Sequence, residues 1–303
     1  MKRIDKRGGA AAAVLAVIML VVAVLQFVNH ENTPSYVADG TLIMRNLYVG
    51  QANSTLINLP DGKSMLIDGG NDADGERIAE YIKDLGIKRL DFVVATHPHE
   101  DHIGGLDTII NEIDCGKIYA PKVPKKGIDT VNYEDFVAAA QRRECGLSVI
   151  QKGDVIFNEN GVKIECFSPD EIDVFSDLNN YSVVTKITFG KTAVLVMGDA
   201  EKQVETLLLK SGQNLKADVL MVGHHGSSSS STKAFIKNVA PMYAVISCGK
   251  NNSYGFPTKQ TMDTLNSAGV QSFVMSEVGS VFAISDGEKV SVETYKDINL
   301  DDD

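Results

Sequence analysis

Apolar residues fall along this chain in three patterns. Residues 10–28 form a nearly unbroken apolar run whose only strongly polar member is Gln26. That run is long enough to cross a hydrocarbon core and long for the apolar part of a signal peptide. Beyond it, short β-rich runs at 41–49, 54–59 and 64–67 read as strands, the last two joined by an Asp61-Gly62 turn. The apolar run 90–95 is a strand with no room for a helix. The spacing of Ile78, Tyr81, Ile82 and Leu85 predicts a helix over 75–85, stopped by Gly86. Helices are also expected over 106–113, 133–144, 200–210, 229–238 and 258–268. Strands are expected at 117–120, 147–150, 162–167, 181–189, 192–197, 218–222 and 242–247, with closing strands at 272–275, 279–284 and 289–294. Two strand-rich halves with helices between them fit two sheets packed face to face, an α/β chain.

Charge sharpens the picture at both ends. The chain carries −11 overall; Lys2, Arg3, Lys6 and Arg7 against Asp5 give residues 1–7 a charge of +3 and leave −14 for the rest. An acidic body argues against a general nucleic-acid binder. A basic cluster before a spanning run stays cytoplasmic. The expected organisation is therefore a basic cytoplasmic segment (1–9), a transmembrane signal anchor (10–28), a linker (29–38), one folded domain (39–296) and an acidic disordered tail (297–303). The body then stands outside the cell membrane on a single-pass anchor. Cleavage of the run is the alternative, although Val37-Ala38-Asp39 is a poor cleavage site. The body's basic patch, Lys117, Lys122, Lys125 and Lys126, suits either a phosphate-bearing substrate or a solvated loop.

None of Cys115, Cys145, Cys166 and Cys248 forms a C-x-x-C pair, which removes the usual cysteine zinc site. A Cys115–Cys145 bridge and four free thiols both remain open. Cys166 and Cys248 read as strand-interior apolar residues.

The chemistry concentrates in Thr96-His97-Pro98-His99-Glu100-Asp101-His102, followed by Ile103-Gly104-Gly105. Three of the six histidines and an aspartate fall within six residues, where an apolar strand ends. Pro98 keeps His97 out of the helical region. Imidazole and carboxylate are the usual ligands of zinc and other borderline divalent ions, and a loop that folds back on itself aims several of them inward.

His97-x-His99-x-Asp101-His102 resembles the signature of the metallo-β-lactamase fold superfamily. Leu66-Ile67-Asp68-Gly69-Gly70, Val196-Met197-Gly198-Asp199 and Met221-Val222-Gly223-His224-His225-Gly226-Ser227 follow in the order expected of it. Val49-Gly50-Gln51, Asn179-x-x-Ser182, Gly198-Asp199-Ala200-Glu201, Gly223-His224-His225-Gly226-Ser227 and Gly249-Lys250-Asn251-Asn252-x-Tyr254-Gly255 together narrow the resemblance to the hydrolase domain of ComEC-type DNA-uptake proteins and their stand-alone relatives. It covers about residues 39–290.

That resemblance implies an αββα four-layer sandwich, preceded here by one transmembrane helix. It also implies two divalent ions, zinc or manganese. His97 and His99 would hold the first ion, Asp101 and His102 the second, and Asp199 would bridge them. His224 is the expected last ligand of the second ion, with His225 as the alternative. The first ion's third histidine falls at Asn179, an amide and a weak ligand. Asp101, Asp199 and His225 are the expected catalytic residues, with Asp101 placed to accept the proton of an activated water. Asp68, Asn179, Ser182, Lys250, Asn251 and Tyr254 are expected behind the ligands or against substrate. A dinuclear site suits a phosphodiesterase or nuclease acting on a phosphodiester, with nucleic acid among the candidates. Another ester, a cell-wall or choline phosphate ester or a lactam, is the alternative, as is a catalytically weakened metal-binding module. The family pattern changes at Tyr48, Ala52, Asn53 and Phe256, which lie around its substrate cleft.

Overall fold

The computed structural model describes residues 40–124, 128, 130–144, 146–172, 174–296 and 300. The expected anchor, Lys125, Lys126, Cys145 and most of the acidic tail lie outside those residues. Among the described residues, no helix is long and apolar enough to cross a membrane.

Two sheets make the centre. The first runs β15-β14-β1-β2-β3-β4-β5-β6 and the second β13-β12-β11-β10-β9-β8-β7. In the first, β1 (Leu42–Asn46), β2 (Ser54–Asn58) and β3 (Ser64–Gly69) meander antiparallel. Then β4 (Arg89–Val94), β5 (Asp114–Ala120) and β6 (Leu147–Val149) add in parallel, which requires crossover connections. In the second, β7 (Val155–Glu159), β8 (Val162–Ser168), β9 (Val184–Phe189) and β10 (Thr192–Val196) are antiparallel. There β11 (Val219–Met221), β12 (Tyr243–Ile246) and β13 (Gln271–Val274) continue in parallel. The closing strands β14 (Ser280–Ser285) and β15 (Val290–Tyr295) return to the first sheet beside β1.

Alternate residues of the strands face each other across the sandwich. Met44, Ile57, Met65, Phe92 and Val94 from the first sheet bury against Ile164, Ile187, Val194, Val196 and Met221 from the second. The outer face of the second sheet, with Leu195, Leu220 and Ala244, packs on α4 (Lys202–Lys210), α5 (Lys233–Val239) and α6 (Lys259–Ser267) through Val204, Leu208, Phe235, Ile236 and Leu265. On the other side, α1 (Gly75–Asp84), α2 (Leu106–Glu112) and α3 (Thr130–Gln141) bury Ile78, Ile82, Ile109 and Phe136. The layers are therefore helix, sheet, sheet, helix.

Several boundaries differ from the sequence pattern for local reasons. The strand expected from 181 begins at Val184. The Asp177 carboxylate accepts from Asn179 N and starts a 3-10 turn, Leu178–Tyr181. The helix expected from 229 begins at Lys233. Thr232 caps it through Phe235 N, and the buried Glu205 carboxylate takes the Ser231 and Thr232 N–H groups. Strand β7 was absent from the expected elements; its burial pattern keeps only Ile156 and Phe157 inside. Cys115 lies within β5 rather than before it, and β5 does neighbour β6. Cys166 and Cys248 are buried.

Candidate metal centre

Loops that leave the carboxyl ends of the parallel strands β3, β4, β10, β11 and β12 gather at one edge of the sandwich, the usual place for a ligand in a parallel sheet. At the end of β3, Asp68 sits at φ +60° and is buried. Its carboxylate accepts the Thr96 N–H at 2.8 Å, the Thr96 hydroxyl at 2.8 Å and His102 Nδ1–H at 2.7 Å. The loop after β4 then delivers His97 and His99, and a single helical turn, Glu100–Ile103, carries Asp101 and His102. Gly104 and Gly105 let this turn press against the β3 loop. A Cβ at Gly104 would lie 2.3 Å from Asp72 N, and one at Gly105 would lie 2.4 Å from Gly69 O.

The second sheet supplies the rest. Gly198, at φ +53°, turns the chain after β10 in a close space, where a Cβ would lie 3.0 Å from Ser182 Oγ and from Thr96 Cβ. Asp199 follows, with its N–H held by Ser182 Oγ at 2.9 Å. Its two oxygens divide the centre. Oδ1 is 3.3 Å from His102 Nε2 and 3.6 Å from His225 Nε2. Oδ2 is 3.9 Å from His97 Nε2 and 3.8 Å from His224 Nε2. His225 Nε2 also lies 3.1 Å from Asp101 Oδ2, and its Nδ1 donates to the Ser247 carbonyl at 2.8 Å. His99 Nδ1 lies 3.0 Å from His97 Nε2.

Asp101, His102, Asp199 and His225 each offer one ligand atom, and those atoms all lie within 4.8 Å of one another. His102 Nε2, Asp199 Oδ1 and His225 Nε2 are buried there without a well-formed hydrogen bond. Buried polar atoms are costly in that state, and a borderline divalent ion would satisfy all three. Electrostatics agrees. Burial disfavours charge on Asp199, but His102, His225 and His97 outweigh it and hold the carboxyl well below its usual range. Burial likewise opposes charge on Asp101, and His102 and His225 pull it down. His102 and His225 rise against burial because Asp199 and Asp101 face them. Burial, with His102 beside it, pushes His97 well below its ordinary value, so it is neutral and able to donate to a metal. A metal bound by His102 and His225 would displace the protons that the two carboxylates hold on them.

The geometry reverses the expected order of the late histidines. His225, not His224, lies with Asp101 and His102, while His224 faces the other oxygen of Asp199. The cause is the backbone: both residues are left-handed, at φ 50° and 52°, which turns consecutive rings to different sides. Asp68 and Ser182 stand behind the ligands, and Asn179 Nδ2 lies 3.4 Å from His224 Nε2. Lys250 and Asn251 make no hydrogen bond or ion pair with the cluster among the described residues. Lys250 instead lines a cavity of about 320 Å³ with Gln51, Asn71 and Arg77. Tyr254 is 66% exposed and stacks on Phe256 at 5.4 Å, and the Phe256 edge meets His224 at 5.6 Å. Asn53 braces the metal loop through its backbone, donating to Asp101 O and accepting from Gly70 N, so its altered side chain leaves that brace intact.

Thr96, Glu201, Ser229 and the Ser247 carbonyl also serve the site, and sequence reasoning gave them no role. Thr96 directly precedes the histidine motif, Glu201 ends the Gly198-Asp199-Ala200-Glu201 run, and Ser229 lies in the serine run after Gly226; these are the local signals. Glu201 is held by Asn180, whose amide donates at 3.0 Å.

The profile described as metallo-beta-lactamase superfamily matches residues 47–250. The chain belongs to this superfamily. Three relatives of this superfamily member are competence or recombination proteins. ComE operon protein 3 of Bacillus subtilis is 28% identical over 92% of this chain and 37% of its own length. Competence protein ComA of Neisseria gonorrhoeae is 32% identical over 73% of this chain and 29% of its own length. Recombination protein 2 of Haemophilus influenzae is 30% identical over 82% of this chain and 29% of its own length. The metallo-β-lactamase superfamily member described here thus spans well under half the length of those relatives.

Proposed function

We propose that this superfamily hydrolase is a metal-dependent phosphodiesterase, with nucleic acid among its candidate substrates, held outside the cell membrane by residues 10–28. The observation that carries the reading is the convergence of Asp101, His102, Asp199 and His225, with His97 and His99 on the opposite side of Asp199. When bound, two divalent ions, zinc or manganese, supply Lewis acidity that lowers the pKa of water and offsets charge developing at phosphorus. The protein's own groups do the rest. Asp199 presents one oxygen to each side. Asp68 fixes the His102 tautomer, leaving Nε2 free to donate its lone pair. Asp101 has a side chain 30% exposed while those of His102, Asp199 and His225 are buried, so it is the carboxylate open to an incoming water and its proton. The relatives' names, competence and recombination, support a nucleic-acid substrate. The basic segment before the apolar run supports the orientation.

The test uses the full-length chain, loaded with zinc or manganese and offered bis-p-nitrophenyl phosphate, single-stranded DNA and a β-lactam. Turnover of the diesters is expected. Two ions bound with turnover of the lactam alone, or of nothing, would refute the phosphodiester reading.

A further inference from the structure

We infer that His224 is a ligand of the first ion, in the corner where the superfamily pattern calls for a third histidine and this chain has Asn179. The inference rests on the dinuclear reading above. His97, His99, His102, His224 and His225 are the chain's histidines apart from His30, which lies outside the described residues. Among the described residues, no other ring is available for that corner.

Four of the rings share one arrangement. His97 Nδ1 lies 3.1 Å from the Thr96 hydroxyl, His102 Nδ1 2.7 Å from Asp68 and His225 Nδ1 2.8 Å from the Ser247 carbonyl. In each, Nε2 is turned to Asp199. His224 is built the same way. Its Nδ1 lies 3.0 Å from Ser229 Oγ and 3.4 Å from Glu201 Oε1, and its Nε2 points to Asp199 Oδ2 at 3.8 Å. A carboxylate or carbonyl on the far nitrogen is the usual support of a metal-bound imidazole. The side of Asp199 decides which ion: His102 and His225 take Oδ1, whereas His97 and His224 take Oδ2. Asn179 stands beside His224 Nε2, and its own Oδ1 is buried with no hydrogen-bond partner. The amide's Nδ2 sits within hydrogen-bond reach of the same Nε2, a long contact that an ion would replace, and the left-handed pair at His224 and His225 brings one ring to each side. The Phe256 edge closes against the His224 ring.

The experiment measures ion content and affinity of the full-length chain by chelator competition, with circular dichroism to show that each variant is folded. The wild type should bind two ions. His224→Ala should weaken one of them at least tenfold and leave the other unchanged, and adding Asn179→His should restore the lost site. His224→Gln replaces the alanine variant if that one does not fold. Unchanged affinity for both ions overturns the inference, because His224 then ligates nothing. Loss of both ions in a folded variant also overturns it, because His224 then serves the shared bridge. A wild type that binds fewer than two ions defeats the dinuclear reading itself, and the inference with it.

Discussion

Replacing Asp68 by asparagine isolates what the carboxylate does behind His102. The backbone there is left-handed, at φ +60°, a region that asparagine tolerates better than other side chains, so the turn survives. The amide oxygen can keep the Thr96 N–H bond, and the Thr96 hydroxyl can rotate to accept from the new NH2. His102 Nδ1–H cannot be rescued, because it now meets a donor at the 2.7 Å position. The ring must lose that proton from Nδ1 and carry it on Nε2, which removes the lone pair aimed at Asp199. Loss of a partner of this kind costs about 10- to 100-fold in metal affinity, equivalent to about 1.4–2.8 kcal/mol. One lost charge-assisted bond, about 1.5–3 kcal/mol, sets the ceiling on destabilisation of the metal-free fold. Chelator competition measures the first quantity and urea unfolding in excess chelator the second. Metal affinity within twofold of wild type would refute the tautomer argument, whatever the stability.

Other expected outcomes bear on different parts of the molecule. Asp199→Asn should lower diester turnover at least a hundredfold and reduce metal content, since one group faces both sides of the centre; full metal with wild-type turnover contradicts it. Gly104→Ala should cost about 3 kcal/mol in urea unfolding because backbone atoms block the new methyl. Gly86→Ala, at φ +79° with open space around it, should cost about 1 kcal/mol. Equal costs would show that the metal loop is not held by close packing. Protease added to intact cells with the wall opened should remove the body, and full protection would reverse the proposed orientation.

What the sequence revealed was what is encoded locally. The apolar run 90–95 and the histidines after it pointed to a strand and a loop within a dozen residues; the strand and the His97–His99 loop stand where expected, while Asp101 and His102 ride on a single helical turn. The two-halves reading held because a short apolar, β-branched run between turn residues marks a strand buried on both faces without knowledge of its partner. The late histidines were ambiguous for a physical reason. Consecutive side chains in extended or helical backbone point predictably, but His224 and His225 are left-handed, and sequence order no longer says which ring goes where. The start of α5 depended on Glu205, 28 residues before Lys233, and no nearby pattern reports such a carboxylate. Strand β7 was missed because only two of its residues face the core. Thr96, Ser229 and the Ser247 carbonyl act through contacts that exist only once the loops have met.

The division of the centre between the sheets has a mechanical side. Asp68, His97, His99, Asp101 and His102 come from one half of the sandwich, and Asp199, His224 and His225 from the other. Through most of the sandwich the halves adhere by apolar packing, with polar links such as Thr192 to Ser285 at the far end, whereas at this mouth the opposing groups are charged or polar. Among the bonds that stitch the jaw, the Val183 N–H to Thr96 carbonyl link at 2.9 Å crosses from one half to the other. Hydrogen exchange at Val183 would therefore track how firmly the jaw is shut, rising in chelator and falling as ions return. Amides in the apolar middle, such as those of Ile187 and Val194, would respond only as far as the ions stabilise the whole fold. A gauge of metal supply is in this way built into the rim, readable without any substrate.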